Sequence, residues 1–178
     1  ADPDGYMEIT YEMKSADASF DRYVDKAPFV PGRKEEREKR CEEILAIQSM
    51  GLKKRMEHTH CKSVVIGISG GLDSTLALLV AARAVDRLNL PRTCITAVTM
   101  PCFGTTDRTY NNACELTRRL GATLKEVDIR KSVTCHFEDI GQDINCHDVT
   151  YENGQARERT QVLMDLANKS GGMVIGTG

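Results

Sequence analysis

The stretch that decides the fold is Ser63-Val64-Val65-Ile66-Gly67-Ile68-Ser69-Gly70-Gly71-Leu72-Asp73-Ser74. Its first half is short, apolar and β-branched, with no polar alternation. That pattern predicts a strand buried on both faces, as in a parallel sheet. Two glycines follow, and then Thr75 to Leu88 is apolar and Ala-rich, which predicts a helix. The strand therefore runs through a tight glycine turn into a helix N-terminus. Glycines let the backbone turn sharply and approach a ligand without a Cβ in the way. Successive N–H groups at such a turn face one point beside a positive helix end, which makes an anion site.

Ser69 and Ser74 add hydroxyl donors to that turn, whereas Asp73 would repel a phosphate. A Mg²⁺ between carboxylate and phosphate removes the conflict, since Mg²⁺ is commonly held by one or two carboxylates plus phosphate oxygens. Two commoner phosphate motifs are excluded. No lysine stands where G-x-x-x-x-G-K-[ST] requires one, and Gly67-Ile68-Ser69-Gly70-Gly71 does not supply G-x-G-x-x-G. A plain Gly-Gly turn with Asp73 opening a helix is the bland alternative. The two hydroxyls and the carboxylate, placed between a buried strand and a helix, favour the phosphate loop.

Outward from this loop the pattern repeats. Cys94 to Met100 predicts a second buried strand stopped by Pro101. Asp107 to Leu120 predicts a helix with Asp107 as its cap and Gly121 as its end. Thr123 to Ile129 predicts a third strand, Lys131 to Ile140 a helix broken at Gly141, and Glu152 to Lys169 a helix ended by Gly171-Gly172. Met173-Val174-Ile175 predicts a fourth strand. Strands alternating with helices imply parallel βαβ units with right-handed crossovers. The expected fold class is α/β: a doubly wound, mostly parallel sheet of Rossmann-like type.

On the N-terminal side, residues 34–58 predict a helix with apolar positions at Ile44, Leu45, Ile47, Leu52 and Met56. The charged run Lys34 to Arg40 is expected to be a solvated face. Residues 1–33 are expected to be an arm or linker, with a strand over Tyr6 to Met13, and residues 34–178 the α/β domain.

The hexapeptide Ser69-Gly70-Gly71-Leu72-Asp73-Ser74 resembles the S-G-G-x-D-S pyrophosphate loop of the N-type ATP pyrophosphatases. That superfamily has the adenine nucleotide alpha hydrolase-like fold and cleaves ATP between its α- and β-phosphates, leaving an adenylated intermediate. A second segment, Tyr151-Glu152-Asn153-Gly154-Gln155-Ala156-Arg157-Glu158-Arg159, is similar to the E-N-x-Q-A-R-x-R stretch of glutamine-dependent NAD synthetases. Gly176-Thr177-Gly178 after a strand resembles the strand-G-T-G of the same family. Val98-Thr99-Met100-Pro101 resembles its M-P turn beside the adenine. The resemblance covers about residues 28–178.

The resemblance implies that Ser69, Gly70, Gly71, Leu72, Asp73, Ser74, Met100 and Thr177 bind ATP, that Asp73 also ligates Mg²⁺, and that Asn153 and Arg157 bind deamido-NAD. Taken alone, Asn153 can donate and accept hydrogen bonds, and Arg157 offers a planar donor fork suited to phosphate or carboxylate. The two are four residues apart, hence on one helical face. Without the resemblance, Arg157-Glu158-Arg159 would be an exposed charged turn. No covalent nucleophile is implied. The implied reaction amidates deamido-NAD with ammonia, which a glutaminase domain outside this chain supplies from glutamine. The family resemblance also implies a homo-oligomer. Because Gly178 directly follows a central strand, the chain is expected to be a fragment of a longer protein. The rival readings are another pyrophosphatase-loop enzyme, such as a GMP synthetase-like amidating enzyme or a tRNA-thiolating enzyme, and a nucleotide-binding module without turnover.

Composition limits the alternatives. A formal net charge of −2 offers no general attraction to nucleic acid or an anionic membrane. No apolar run approaches the roughly 18 residues of a membrane span. The acidic, polar start Ala1-Asp2-Pro3-Asp4-Gly5 does not have the form of a secretory leader. The seven cysteines include no C-x-x-C pair and are expected to be mostly buried, reduced thiols of a cytoplasmic protein. His58, His60, His136 and His147 lack the spacing of a common zinc site, and Cys102, close to the expected site, is expected to be a bystander.

Overall fold

The computed structural model describes residues 5, 9–14, 22–103 and 107–176. Residues 1–39 and 40–178 form two units. In the first, residues 9–14 and 22–30 are exposed and carry no strand. The alternation over 9–13 therefore builds no ladder, because an alternating segment needs a partner strand to become one; Tyr6, Met7 and Glu8 lie outside the described residues. Local contacts order the end of this unit. The Ala27 amide donates to Asp25 Oδ1 at 2.9 Å, and Arg33–Glu36 and Lys34–Glu38 pair at 3.6 and 3.7 Å.

The elements run α1 (Lys34–Thr59), β1 (Val64–Gly67), α2 (Leu72–Arg87), a single 3₁₀ turn (Arg92–Cys94), β2 (Ile95–Thr99), α3 (Asp107–Leu120), β3 (Thr123–Glu126), α4 (Arg130–Ile140), α5 (Val149–Ser170) and β4 (Met173–Ile175). The sheet order is β3-β2-β1-β4, and every pairing is parallel. The doubly wound reading thus holds, with all described strand pairs parallel rather than most of them.

Strand alternation divides the core. Val64, Ile66 and Ile68 of the β1 segment, with Ile95 and Ala97 of β2, face a cluster that contains Leu78, Ala81, Ala82 and Val85 of α2 and Ala113 of α3. Val65, Val98 and Met100 face the other cluster, with Val133 and Phe137 of α4 and Ala167 of α5. β1 is buried on both faces because helices cover both, which is why its sequence shows no alternation. β3, at the edge, is mostly exposed and stops at Glu126, three residues earlier than expected. Ile129 is fully buried but serves α4 as its leading residue.

Two helices start three residues earlier than their periodicity suggests, and α4 starts one residue earlier, at Arg130. α2 begins at Leu72 rather than Thr75, so Asp73 and Ser74 belong to its first turn. α5 begins at Val149 rather than Glu152, because Asp148 caps it by accepting from the Thr150 and Tyr151 amides at 2.9 and 3.0 Å. α3 spans the expected residues, and the Asp107 side chain lies outside those described. In α1, Met56 is buried, whereas Ile44 and Ile47 are exposed.

The cysteine expectation fails in part. All seven are free, but only Cys102 and Cys114 are buried. Cys94 is partly exposed because it sits in the 3₁₀ turn before β2 rather than in the strand. Cys41, Cys135 and Cys146 are exposed, the first two on the outer faces of α1 and α4 and the third in the loop before α5.

Candidate functional site

The chain leaves β1 for β2 on one side and returns to β4 on the other, so the strand order switches at β1. In open α/β sheets the crevice at the carboxyl ends of the strands beside such a switch is where ligands bind. The Ser69–Ser74 loop leaves β1 at that point. The Ile68 amide first donates to the Val98 carbonyl at 2.8 Å, extending the ladder to the edge of the loop.

Two features fix the loop. Gly70 has φ +81°, and a Cβ there would stand 2.1 Å from the Thr109 carbonyl oxygen of α3. Both the conformation and the space require glycine. Second, the two hydroxyls hold each other: Ser69 Oγ and Ser74 Oγ lie 3.2 Å apart, the Ser69 amide donates to Ser74 Oγ at 3.3 Å, and the Gly71 amide donates to Ser69 Oγ at 3.3 Å. Ser74 is buried, and its Oγ also donates to the Gly71 carbonyl at 3.2 Å.

Gly71 occupies the N-cap position of α2 and carries no side chain to satisfy the first-turn N–H groups. Those donors, with the positive end of the helix dipole, are open to an external anion. Asp73 is exposed beside them. Among the described residues no group of three or more His, Cys, Asp or Glu side chains gathers to hold a metal. One carboxylate beside open anion donors is nevertheless a donor set that fits Mg²⁺ arriving with phosphate, since Mg²⁺ keeps few protein ligands and takes the rest from phosphate and water.

Next to the loop lies a cavity of about 610 Å³. Its floor comes from the strand ends: Gly67, Ile68 and Ser69 from the β1 segment, and Thr99 and Met100 from that of β2. Thr109 and Tyr110 of α3 form one wall. The other is a single stripe of α5, Tyr151-Gln155-Arg159-Leu163, four residues apart and hence stacked along one helix face. A Cβ on Gly67 would lie 3.1 Å from Leu163 Cδ1, so α5 rests directly on the end of β1. At the far end of the stripe the wall is aromatic. His147 stacks on Tyr151 with centroids 4.3 Å apart, and Phe103 stacks on Tyr151 at 6.1 Å. Phe137, fully buried, backs Tyr151 at 5.8 Å.

Tyr110 lines this cavity, and Cys102 interacts electrostatically with the lining residue Arg159. Tyr110 donates a short hydrogen bond to Glu126, and this bond to the carboxylate, followed by one to Cys114, pushes the phenol up to about 12. The phenol is thus held neutral. Burial pushes the Cys102 thiol up, with smaller influences from Arg159, Asp128 and Arg130. This side chain is therefore a thiol, not a thiolate nucleophile. Asp128, hydrogen-bonded by the Arg130 guanidinium and amide, is held down to about 2.

The structure brings some of the expected site residues together and leaves others apart. Ser69 and Met100 line the cavity, and Gly70, Gly71, Asp73 and Ser74 complete the adjoining loop. Leu72 belongs to that loop by its backbone, while its side chain is 87% exposed. Asn153 and Arg157 stand exposed on α5, two residues out of phase with the stripe, and are not among the lining residues. Thr177 lies outside the described residues. Gln155, Arg159, Tyr110, His147 and Phe103 had no assigned role in the sequence reading. The α5 face is a regular spacing in the sequence: counting back in fours from Leu163 gives Arg159, Gln155 and Tyr151.

Residues 44–178 match the NAD synthase family model. The chain belongs to the NAD synthase family. Among curated members, it is 46% identical over 176 residues to the glutamine-dependent NAD(+) synthetase of Mycobacterium leprae, covering 97% of this chain and 26% of that protein. It is 34% identical over 116 residues to the NH(3)-dependent NAD(+) synthetase of Thermoplasma acidophilum, covering 65% of this chain and 45% of that one. Among solved structures, the glutamine-dependent NAD+ synthetase of Acinetobacter baumannii, in complex with adenosine diphosphate, aligns with TM-score 0.70 and 33% identity over 77% of this chain and 25% of that chain. The NMN synthetase of Francisella tularensis aligns with TM-score 0.65 and 26% identity, over 77% and 54%. The chain thus spans about a quarter of the length of the glutamine-dependent relatives it matches. Its sheet and helices have the adenine nucleotide alpha hydrolase-like fold of these neighbours. Among the described residues no helix is long and apolar enough to cross a membrane.

Proposed function

We propose that this chain carries the ATP-cleaving site of an enzyme that amidates deamido-NAD to NAD, releasing AMP and pyrophosphate. The observation that carries the reading is the Ser69–Ser74 loop, pinned by Gly70 on Thr109 and opening the N-terminus of α2 beside a cavity at the strand switch. Family membership supports the acceptor.

In this reading the Gly70 and Gly71 backbone and the first-turn amides of α2 hold the β- and γ-phosphates, and Ser69 and Ser74 add hydroxyl contacts. Met100 and Leu72 complete the ATP contacts, together with Thr177. Asp73, with phosphate oxygens, holds Mg²⁺, which supplies charge neutralisation for the departing pyrophosphate. Asn153 and Arg157 bind deamido-NAD. The nicotinate carboxylate attacks the α-phosphorus; a new O–P bond forms as the bond to the β-phosphate oxygen breaks, and pyrophosphate leaves. Ammonia then attacks the acyl carbon, AMP departs with its bridging oxygen, and the nitrogen gives up a proton to form the amide. Nothing in this sequence asks for an enzyme nucleophile. Positioning and charge stabilisation carry it, which suits a site where Cys102 is held as a thiol.

The ammonia comes from glutamine through a glutaminase domain of the longer protein, as the names of the relatives suggest for this chain. A homo-oligomer and a cytoplasmic location complete the proposal, the latter in keeping with seven free cysteines. The test is pyrophosphate release from Mg-ATP with and without deamido-NAD, with Asp73→Ala as control. Release that depends on deamido-NAD and is lost in the control is expected. Release with nicotinate mononucleotide or xanthosine monophosphate instead would replace the acceptor.

A further inference from the structure

Arg159 differs from every other arginine of its class. Three described arginines are half-buried: Arg83, Arg92 and Arg159. Arg83 is held by both carboxylate oxygens of Glu42, and Arg92 by both of Asp86, with a further bond to the Leu120 carbonyl. Among the described residues Arg159 has no carboxylate and no hydrogen-bond acceptor. The neighbouring Cys102 supplies no charge, because burial keeps it protonated. A guanidinium partly withdrawn from water without an anion is costly, and the two half-buried arginines that form part of the scaffold avoid that cost.

Its position says what the missing anion is. Arg159 is the one Lys or Arg among the described residues that line the cavity. It stands four residues along the helix, a rise of about 6 Å, from Leu163, which touches the end of β1 immediately before the phosphate loop. On its other side Gln155 and then the aromatic Tyr151 follow at the same spacing. A cation between a phosphate loop and an aromatic wall is placed for the phosphate chain of a nucleotide, and a planar guanidinium can take two phosphate oxygens at once.

We propose that Arg159 is the cavity's phosphate-binding cation and grips a phosphate of the bound ATP from the α5 side, while Arg157, exposed on the far side of the helix, does not touch ATP. This rests on the ATP reading above and adds a residue to it. The site then holds the triphosphate between two elements that are fixed independently: the neutral amides of α2 on one side and a charged fork on the other.

The test is ATP binding by titration calorimetry, using a non-hydrolysable ATP analogue and no acceptor, together with steady-state kinetics on wild type, Arg159→Gln, Arg159→Lys and Arg157→Gln. Losing a charged hydrogen-bond pair predicts that Arg159→Gln raises the dissociation constant about 10- to 100-fold. Arg159→Lys should recover part of that loss, as a point charge without the fork, and Arg157→Gln should leave ATP affinity within about 2-fold. The KM for deamido-NAD should stay near wild type in Arg159→Gln. Thermal unfolding midpoints within a few degrees of each other show that all variants fold. Unchanged ATP affinity in Arg159→Gln, or a loss confined to the KM for deamido-NAD, overturns the inference while leaving the ATP reading intact. Were wild type itself to bind no ATP, the two would fall together.

Discussion

The phosphate loop and the α5 wall enclose the same cavity by different means. In the loop, identity resides in the backbone: Gly70 is held on the Thr109 carbonyl, the serines bridge each other, and the ligand meets mainly N–H groups. On α5 identity resides in helical phase: Tyr151, Gln155, Arg159 and Leu163 face inward, while Asn153 and Arg157 face out. A backbone site tolerates almost no change in its own residues. A side-chain stripe tolerates change one residue at a time but loses everything if the helix rotates.

Four substitutions or titrations set these two regions against each other. The largest effect is expected from Asp73→Ala, which removes the loop's only carboxylate: kcat/KM for ATP should fall about 100- to 1,000-fold, the scale for a group that acts on transition-state charge. A fall no larger than that of Arg159→Gln would make the two regions equal partners. Gly70→Ala should destabilise the fold by about 2–4 kcal/mol, combining positive φ with a carbonyl clash. The unfolding midpoint should drop by about 4–16 °C. An unchanged midpoint would mean that the loop moves freely off α3.

Gly154→Ala probes the packing that sets the phase of α5. A Cβ there would lie 2.5 Å from the Phe137 ring, and the expected cost is about 1–3 kcal/mol. Adding Phe137→Leu should return part of it, because the double variant removes the obstacle, and failure to do so would show that α5 is seated by other contacts. The smallest effect concerns the exposed Asp128–Arg130 pair at the start of α4. The Asp128 carboxyl is held down to about 2 in the fold, against an unperturbed value near 3.9. Its stabilisation is therefore complete above about pH 4–5 and lost as pH falls through about 2. The midpoint difference between wild type and Arg130→Ala should be small at neutral pH, because the pair is exposed, and should shrink through about pH 2 and close below it. A difference that persists there belongs to packing.

The contrast also explains what the sequence made legible. β1 was readable because burial on both faces leaves a run with no alternation, and the loop because glycines and hydroxyls in that order have few other uses. The starts of α2 and α5 were misplaced by three residues each. Leu72-Asp73-Ser74 reads as loop until Gly71 is seen to take the N-cap position, and Asp148 was passed over as a cap. The stripe on α5 was harder, since periodicity reveals that a helix has faces but not which one borders a cavity. Tertiary contacts fix that phase: Leu163 rests on Gly67 at the end of β1, and Gly154 packs against the Phe137 ring. The thiols were misjudged because cysteine's average burial says nothing of a given helix's outer face, where Cys41 and Cys135 lie.

The parallel seam between β1 and β4 has a temporal consequence. Ser63, at the start of β1, bonds across to Ser170, 107 residues further along the chain. At a synthesis rate of about 5–20 residues per second, β4 leaves the ribosome roughly 5–20 s after β1. Through that interval one edge of the most apolar strand has no neighbour, although β2 can already dock on its other edge. The nascent chain must carry an open, aggregation-prone edge until the last helix folds back, so the strand that bears the phosphate loop is also the one whose birth most needs protection.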